Sequence, residues 1–188
     1  MAKFDAKPGM VEGWKEVDNL VEAGDGAFKE LKKDSDFLEK FDDVINNQKA
    51  NDHIFKGKVE ITGINSAGDP IYKVSGIHSN DAFIDGTVRV KPGTQIEDLG
   101  DGFYKAKVEK QIEGFVNDQG TNWKVKTKKS TFFPDSWSKE KIQAEIAHAF
   151  KNKTPVSGNK YEGLTTGGKK VTMYLDDAGE IKSAFPEI

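Results

Sequence analysis

The chain contains no cysteine. A disulfide framework, a thiol nucleophile, an iron–sulfur cluster and a cysteine-based zinc site are therefore all excluded. Arginine is almost absent as well, since Arg89 is the only one among 28 basic residues. The guanidinium fork is the preferred bidentate reader of phosphate, so an extended arginine-rich nucleic-acid surface is ruled out. No apolar run approaches the ~20 residues of a membrane-spanning helix. The opening MAKFDAKPG lacks the apolar core of a signal peptide. No G-x-S-x-G elbow, P-loop, G-x-G-x-x-G fingerprint, HxxxH or HxH spacing occurs. Histidine is scarce, with three in 188 residues: His53, His78 and His148.

What is present suits a folded chain. The length fits one domain, or one domain with a short appendage. Charged residues make up 31%, yet 12 Phe, 4 Tyr and 3 Trp suffice for a core. The net charge of −3 hides an uneven distribution. Acids outnumber lysines over residues 1–52, and lysines outnumber acids over residues 102–141. That asymmetry suggests two parts with different tasks.

The pattern over residues 10–50 is helical. Val11, Trp14, Val17, Leu20 and Val21 recur at helical spacing until Gly24-Asp25-Gly26 interrupts them. Leu31 fits a short helix. Asp34, Ser35 or Asp36 can cap another, with Phe37, Leu38, Phe41, Val44 and Ile45 on one face. After residue 52 the period shortens. Residues 58–64 and 71–74 flank the turn at 65–69 and predict a β-hairpin. Further strands are predicted at 87–90 and 103–109. Another hairpin is expected from 115–116 and 123–127 around Asn117-Asp118-Gln119-Gly120. Residues 138–150 predict a helix with Ser138 as N-cap and Lys151 and Lys153 near its C-terminus. Residues 170–175 and 181–185 predict a terminal hairpin, and 163–168 a loop between strands. The sum is an α+β chain: a helical N-terminal segment, then an antiparallel β-rich domain.

Two histidines carry the most chemistry. His53 stands where helix gives way to strand, in Asp52-His53-Ile54-Phe55-Lys56-Gly57. His78 stands just past a strand, in Val74-Ser75-Gly76-Ile77-His78. They flank the first predicted hairpin, so a modest fold can bring them together. Two imidazoles suit general acid–base work near neutral pH. His148 falls on the predicted helix as a partly exposed residue. Lys124, Lys126 and Lys128 alternate, so they share a face if they lie on a strand. Flanked by Trp123, Phe132 and Phe133, they fit a phosphate backbone with stacking bases. They fit an edge strand protected by lysines equally well.

Taken in order, these motifs resemble the bacterial EndoU-type ribonucleases found as C-terminal toxin modules of contact-dependent inhibition proteins and related polymorphic toxins. The His53 and His78 segments are similar to the two that bear the family's histidines. Ser130-Thr131-Phe132-Phe133-Pro134-Asp135-Ser136-Trp137-Ser138, followed by a helix, resembles the most specific bacterial signature. Ile181-Lys182-Ser183-Ala184-Phe185-Pro186 resembles the closing I-x-T-A-Y-P. The resemblance covers residues 52–188 and implies an EndoU-like nuclease domain of the barnase/EndoU/colicin/RelE type. Residues 1–51 are left as a helical linker or piece of a delivery region.

The resemblance implies a metal-independent or metal-stimulated endoribonuclease that leaves a 2′,3′-cyclic phosphate and needs no cofactor. It casts His78 as the base on the 2′-hydroxyl and His53 as the acid on the leaving oxygen, though the order can reverse. It casts Lys126 as the charge-stabilising lysine, with Lys128 and Lys129 as competitors. Ser130, Ser183 and Phe185 become substrate contacts together with Lys128 and Lys129. The closing Thr and Tyr of the family are Ser183 and Phe185 here, so any role for the phenol is lost. An EndoU-like RNA-binding module without activity is the alternative. The implied partners are RNA, with tRNA anticodon loops as candidates, and a cognate immunity protein, without membrane insertion. The implied setting is delivery as the end of a larger secreted or surface toxin into a target-cell cytoplasm, to which a cysteine-free chain is suited.

Overall fold

The structure, a computed structural model, describes residues 10–188, with side chains from Gly13 onward. Residues 1–9, and the side chain of Val11 on the first predicted helix, lie outside the described residues. The architecture is α+β, and the described chain divides into two compact units. One runs to Ala50 and resumes with Trp137–Ile188; the other is Asn51–Ser136.

The first unit joins helices to the C-terminal sheet. Helix α1 (Met10–Glu22) buries Val17 and Leu20 but leaves Trp14 half exposed. Short 3-10 turns at Gly26–Phe28 and Leu31–Lys33 lead to α2 (Ser35–Asn46). The Asp34 carboxylate caps α2 by accepting from the Asp36 and Phe37 amides, each at 3.1 Å. It also pairs with Lys151. Phe28, Phe37 and Phe41 stack in sequence at 6.2 and 5.8 Å. Fully burying one such ring stabilises the fold by roughly 2–3 kcal/mol. Helix α3 (Gln48–Phe55) follows and carries the chain into the second unit. Helix α4 (Lys139–Lys151) is capped by Ser138 as expected.

The sheet of this unit has the order β12-β11-β10-β9, all antiparallel. Its strands are β9 (Thr154–Ser157), β10 (Lys160–Leu164), β11 (Lys170–Leu175) and β12 (Ile181–Pro186). Strand β10 approaches α4 so closely that a Cβ on Gly163 would lie 2.0 Å from the Ala149 carbonyl oxygen. The buried Glu145 of α4 binds the Thr166 amide and hydroxyl, each at 2.7 Å, and fixes the turn between β10 and β11.

The second unit holds the predicted first hairpin, β1 (Lys58–Ile64) with β2 (Pro70–Ser75), and two three-stranded sheets. One sheet is β3-β6-β7, from Val88–Val90, Val108–Gln111 and Trp123–Val125. The other is β4-β5-β8, from Glu97–Gly100, Phe103–Ala106 and Ser130–Phe132. The alternating run at 103–109 is therefore two strands, which part at Lys107 and join different sheets. The hairpin expected from 115–116 and 123–127 also differs, because β7 pairs with β6. Residues 117–121 form the turn, closed by the Asn117 amide on the Thr121 carbonyl. Val74, Ile77, Ala82, Val88, Ala106, Val108, Ile112 and Phe132 make the core of this unit.

Candidate active site

Every main component of the site lies in the second unit. His53 occupies the last turn of α3, where helix gives way to strand, and the helix ends at Phe55 before Gly57 turns the chain at φ +72°. His78 follows β2 after a bend through Gly76 (φ +77°) and Ile77 (φ +70°). A left-handed conformation at a β-branched residue is rare and strained. Two backbone bonds lock that bend onto α3. The Ile77 amide donates to the His53 carbonyl and the His78 amide to the Ile54 carbonyl, both at 2.8 Å. The two imidazoles then stack, with centroids 5.3 Å apart and planes 30° from parallel.

The Ser130-Thr131-Phe132-Phe133 run holds the site from the other side. His78 Nδ1 donates to the Thr131 carbonyl at 2.7 Å. A carbonyl oxygen only accepts, so Nδ1 carries the proton and Nε2 is the basic nitrogen of the neutral ring. The Phe133 amide donates to the His78 carbonyl at 3.0 Å. Lys126 is buried, and its Nζ donates to Ser130 Oγ at 2.7 Å. Ser130 Oγ donates in turn to the Gly76 carbonyl at 3.0 Å, in the bend that precedes His78. Ser130 thus acts through Lys126 and the bend.

The electrostatics leave the site short of negative charge. Burial, then the charges of Lys58 and Lys126, push the His53 imidazole down to about 4. Burial, Lys126 and His53 hold His78 well below the usual imidazole range, against the opposing effect of its Thr131 hydrogen bond. Burial, then Lys107 and Lys128, push Lys126 down to about 8. At neutral pH the arrangement is two neutral imidazoles beside a mostly protonated ammonium. Such a site favours an anion, and an entering phosphate raises the proton affinity of both rings. Among the described residues no three His, Asp or Glu side chains gather to hold a metal.

The other expected residues are distributed as follows. Lys128 and Lys129 are exposed, and Lys129 pairs with Glu97 at 3.4 Å. The three alternating lysines do not share one strand face, because β7 ends at Val125. His148, Ser183 and Phe185 belong to the first unit. His148 Nδ1 donates to the Leu164 carbonyl at 2.9 Å. Ser183 and Phe185 lie on β12, where Phe185 stacks on Tyr174 at 6.3 Å. Sequence reasoning missed Thr131 and Gly76. Thr131 works through its carbonyl, so no side-chain pattern reveals it. Gly76 was legible as a glycine just before a functional residue, where a close backbone approach is a standing possibility.

A protein from Bacillus cereus named Toxin is 39% identical over 99 residues, covering 52% of this chain and 16% of that relative. The chain thus matches only about a sixth of that relative's length. The family model described as bacterial EndoU nuclease matches residues 47–188, a range that contains both imidazoles, Lys126 and the whole signature run. The chain belongs to the bacterial EndoU nuclease family.

Proposed function

We propose that this chain is the ribonuclease module of a delivered toxin, cutting RNA by transphosphorylation. The observation that carries the reading is the stacked pair His53–His78 beside buried Lys126. His78 Nε2 takes the proton of the ribose 2′-hydroxyl, and the 2′-oxygen attacks the adjacent phosphorus. The bond to the 5′-oxygen breaks, and His53, protonated once phosphate occupies the site, gives its proton to that oxygen. Lys126 stabilises the charge on the non-bridging oxygens. The products are a 2′,3′-cyclic phosphate and a free 5′-hydroxyl. Proton transfer and charge stabilisation both come from side chains, so this chemistry calls for no metal, though a divalent ion can help to fold the substrate.

The toxin part of the reading is supported by the name of the Bacillus cereus relative and by how little of that protein the match covers. In this reading residues 52–188 are the nuclease and residues 1–51 connect it to a larger carrier. The target is RNA in the cytoplasm of a recipient cell, with tRNA anticodon loops as candidates because unstacked bases are where sequence is read. The producing cell needs an immunity protein, and an acidic one would complement the lysine excess of residues 102–141. Phe185, without a phenol, favours a second reading: a module that binds RNA without cutting it. One assay decides. A short RNA and its 2′-deoxy twin are incubated with the protein in EDTA and their ends analysed. Cyclic phosphate from the RNA and an inert twin are expected. Cleavage of the twin, or 5′-phosphate ends, would overturn the mechanism, and binding without cleavage would establish the second reading.

A further inference from the structure

The β3-β6-β7 sheet carries a cleft that the chemistry above does not use. Its volume is about 390 Å³, and Trp123, Phe115, Lys91, Lys124, Glu109 and Asn117 contribute to its lining. That size lies within the range of small-ligand sites. Strand pairing aligns Arg89, Glu109 and Val125, with Trp123 two residues before Val125, on the face opposite core residues Val88 and Val108. We propose that this cleft is a subsite for one nucleotide of the RNA strand flanking the cut, its base stacked on Trp123 and its phosphate held by Lys91. The proposal rests on the ribonuclease reading and extends it.

The cleft is built rather than incidental. The Arg89 guanidinium lies 4.0 Å from the Trp123 ring centroid, and its Nε donates to Glu109 Oε1 at 2.7 Å. Arginine therefore braces the ring and pairs with the buried Glu109 carboxylate, while Asp118, the other carboxylate of the lining, is exposed to solvent. Phe115, packed against the core, meets Tyr72 in a T-shaped contact at 5.7 Å, with Lys124 Nζ 5.2 Å from its ring centroid. Asn117 pre-forms the loop: its Oδ1 accepts from the Gln119 and Thr121 amides at 3.0 Å, and its Nδ2 donates to the Trp123 carbonyl at 3.0 Å. A ring held this firmly loses little entropy when a base stacks on it. Sequence-tolerant stacking beside a cationic groove is how single strands are held. Strand β7 is the edge of its sheet, and Lys126 directly follows its last residue, Val125. The last lining residue of the cleft and Lys126 are thus consecutive along the chain.

The test uses the whole chain and a labelled 2′-O-methyl oligonucleotide of about eight nucleotides, within the usual single-strand footprint. Binding is measured by anisotropy across a salt series. The variant Lys91→Gln should lower the slope of log K against log salt by ~0.7, the share of one lost phosphate contact. Trp123→Leu should weaken binding about tenfold with the slope unchanged. In cleavage assays Lys91→Gln should lose more kcat/KM on a long RNA than on a dinucleotide. An unchanged slope, or equal losses on both substrates, would overturn the subsite. So would unaltered RNA binding with loss of binding to a neutralising partner protein, which would make the cleft a protein interface. A wild type that binds through the cleft and cuts no RNA would refute the ribonuclease reading alone.

Discussion

Gly76 offers the sharpest test of how the histidine pair is held. Its φ is +77°, and a Cβ added there would lie 2.0 Å from the His53 carbonyl oxygen and 2.9 Å from that carbonyl carbon. Contacts under 3.0 Å do not persist, and both atoms are backbone, so α3 and the bend must separate by about 1 Å. Gly93 provides the control, with φ +76° and nothing within 4 Å of its added Cβ. In both positions alanine pays the left-handed penalty, about 1–2 kcal/mol. Only Gly76→Ala also breaks the bonds from Ile77 to His53 and from His78 to Ile54. At about 1 kcal/mol each, they bring its total cost to about 3–4 kcal/mol.

Urea denaturation of both variants at equal m measures the difference directly. Gly76→Ala should be less stable than Gly93→Ala by about 2 kcal/mol. Under conditions where both remain folded, it should also cleave RNA at least ~10²-fold more slowly, because a displacement near 1 Å in a reacting constellation has that effect. Gly93→Ala should retain wild-type activity. Equal midpoints for the two variants would refute the idea that the approach of the bend to α3 sets the imidazole geometry.

Three further outcomes are expected. His53→Ala and His78→Ala should each lower cleavage by ~10²-fold or more, whereas His148→Ala should stay near wild type; a large loss in the third would invalidate the pair. Cleavage should decline above pH about 8 as Lys126 loses its proton. Lys107→Gln removes a neighbouring charge that lowers Lys126, so it should move that decline to higher pH. The imidazoles bear on stability in the opposite range. His53 binds protons more weakly folded, at about 4, than at its ordinary 6.5. The unfolded chain therefore takes up more protons between those values. Stability is full above pH 6.5 and is lost as pH falls toward 4, by up to about 3 kcal/mol for this residue. Urea midpoints at pH 4.5 and 7 should show a smaller gap in His53→Gln than in the wild type.

The elements legible in the sequence are those whose local signals agree. The Asp34-Ser35-Asp36 run and Ser138 announce α2 and α4 because a capping oxygen and an apolar period coincide there. The β1–β2 hairpin is legible because its two runs flank an evident turn. The strands that sequence reasoning missed lack such agreement. Strand β9 is exposed along its whole length and contains Pro155, so no alternation marks it. The run at 103–109 alternates without a break, and the split at Lys107 is decided only by the partners, β8 for one half and β3 for the other. In the site, motif order brought out His53, His78 and Lys126, while Lys128 and Lys129 remained open. Burial separates them: Lys126 is enclosed beside Ser130, and the other two face solvent.

What no pattern could show is that three backbone hydrogen bonds hold His78 beside the His53 ring. Its amide binds Ile54, its carbonyl receives Phe133, and its Nδ1 binds the carbonyl of Thr131. None of these partners depends on side-chain identity, so the composition around His78 says nothing about which nitrogen is basic. The signature run becomes intelligible on the same terms. As a strand it turns Ser130 and Phe132 inward, both fully buried, one to the lysine and the other to the core. Between them it presents the Thr131 carbonyl to the imidazole. Phe132 is clamped between Tyr104, parallel at 4.6 Å, and Phe83 at 5.7 Å, which fixes the height of the strand and with it that carbonyl. The strained bend at Ile77 persists because β8 holds it on one side and α3 on the other. The strain is local, and the bonds that oppose it are the ones that orient the His78 imidazole.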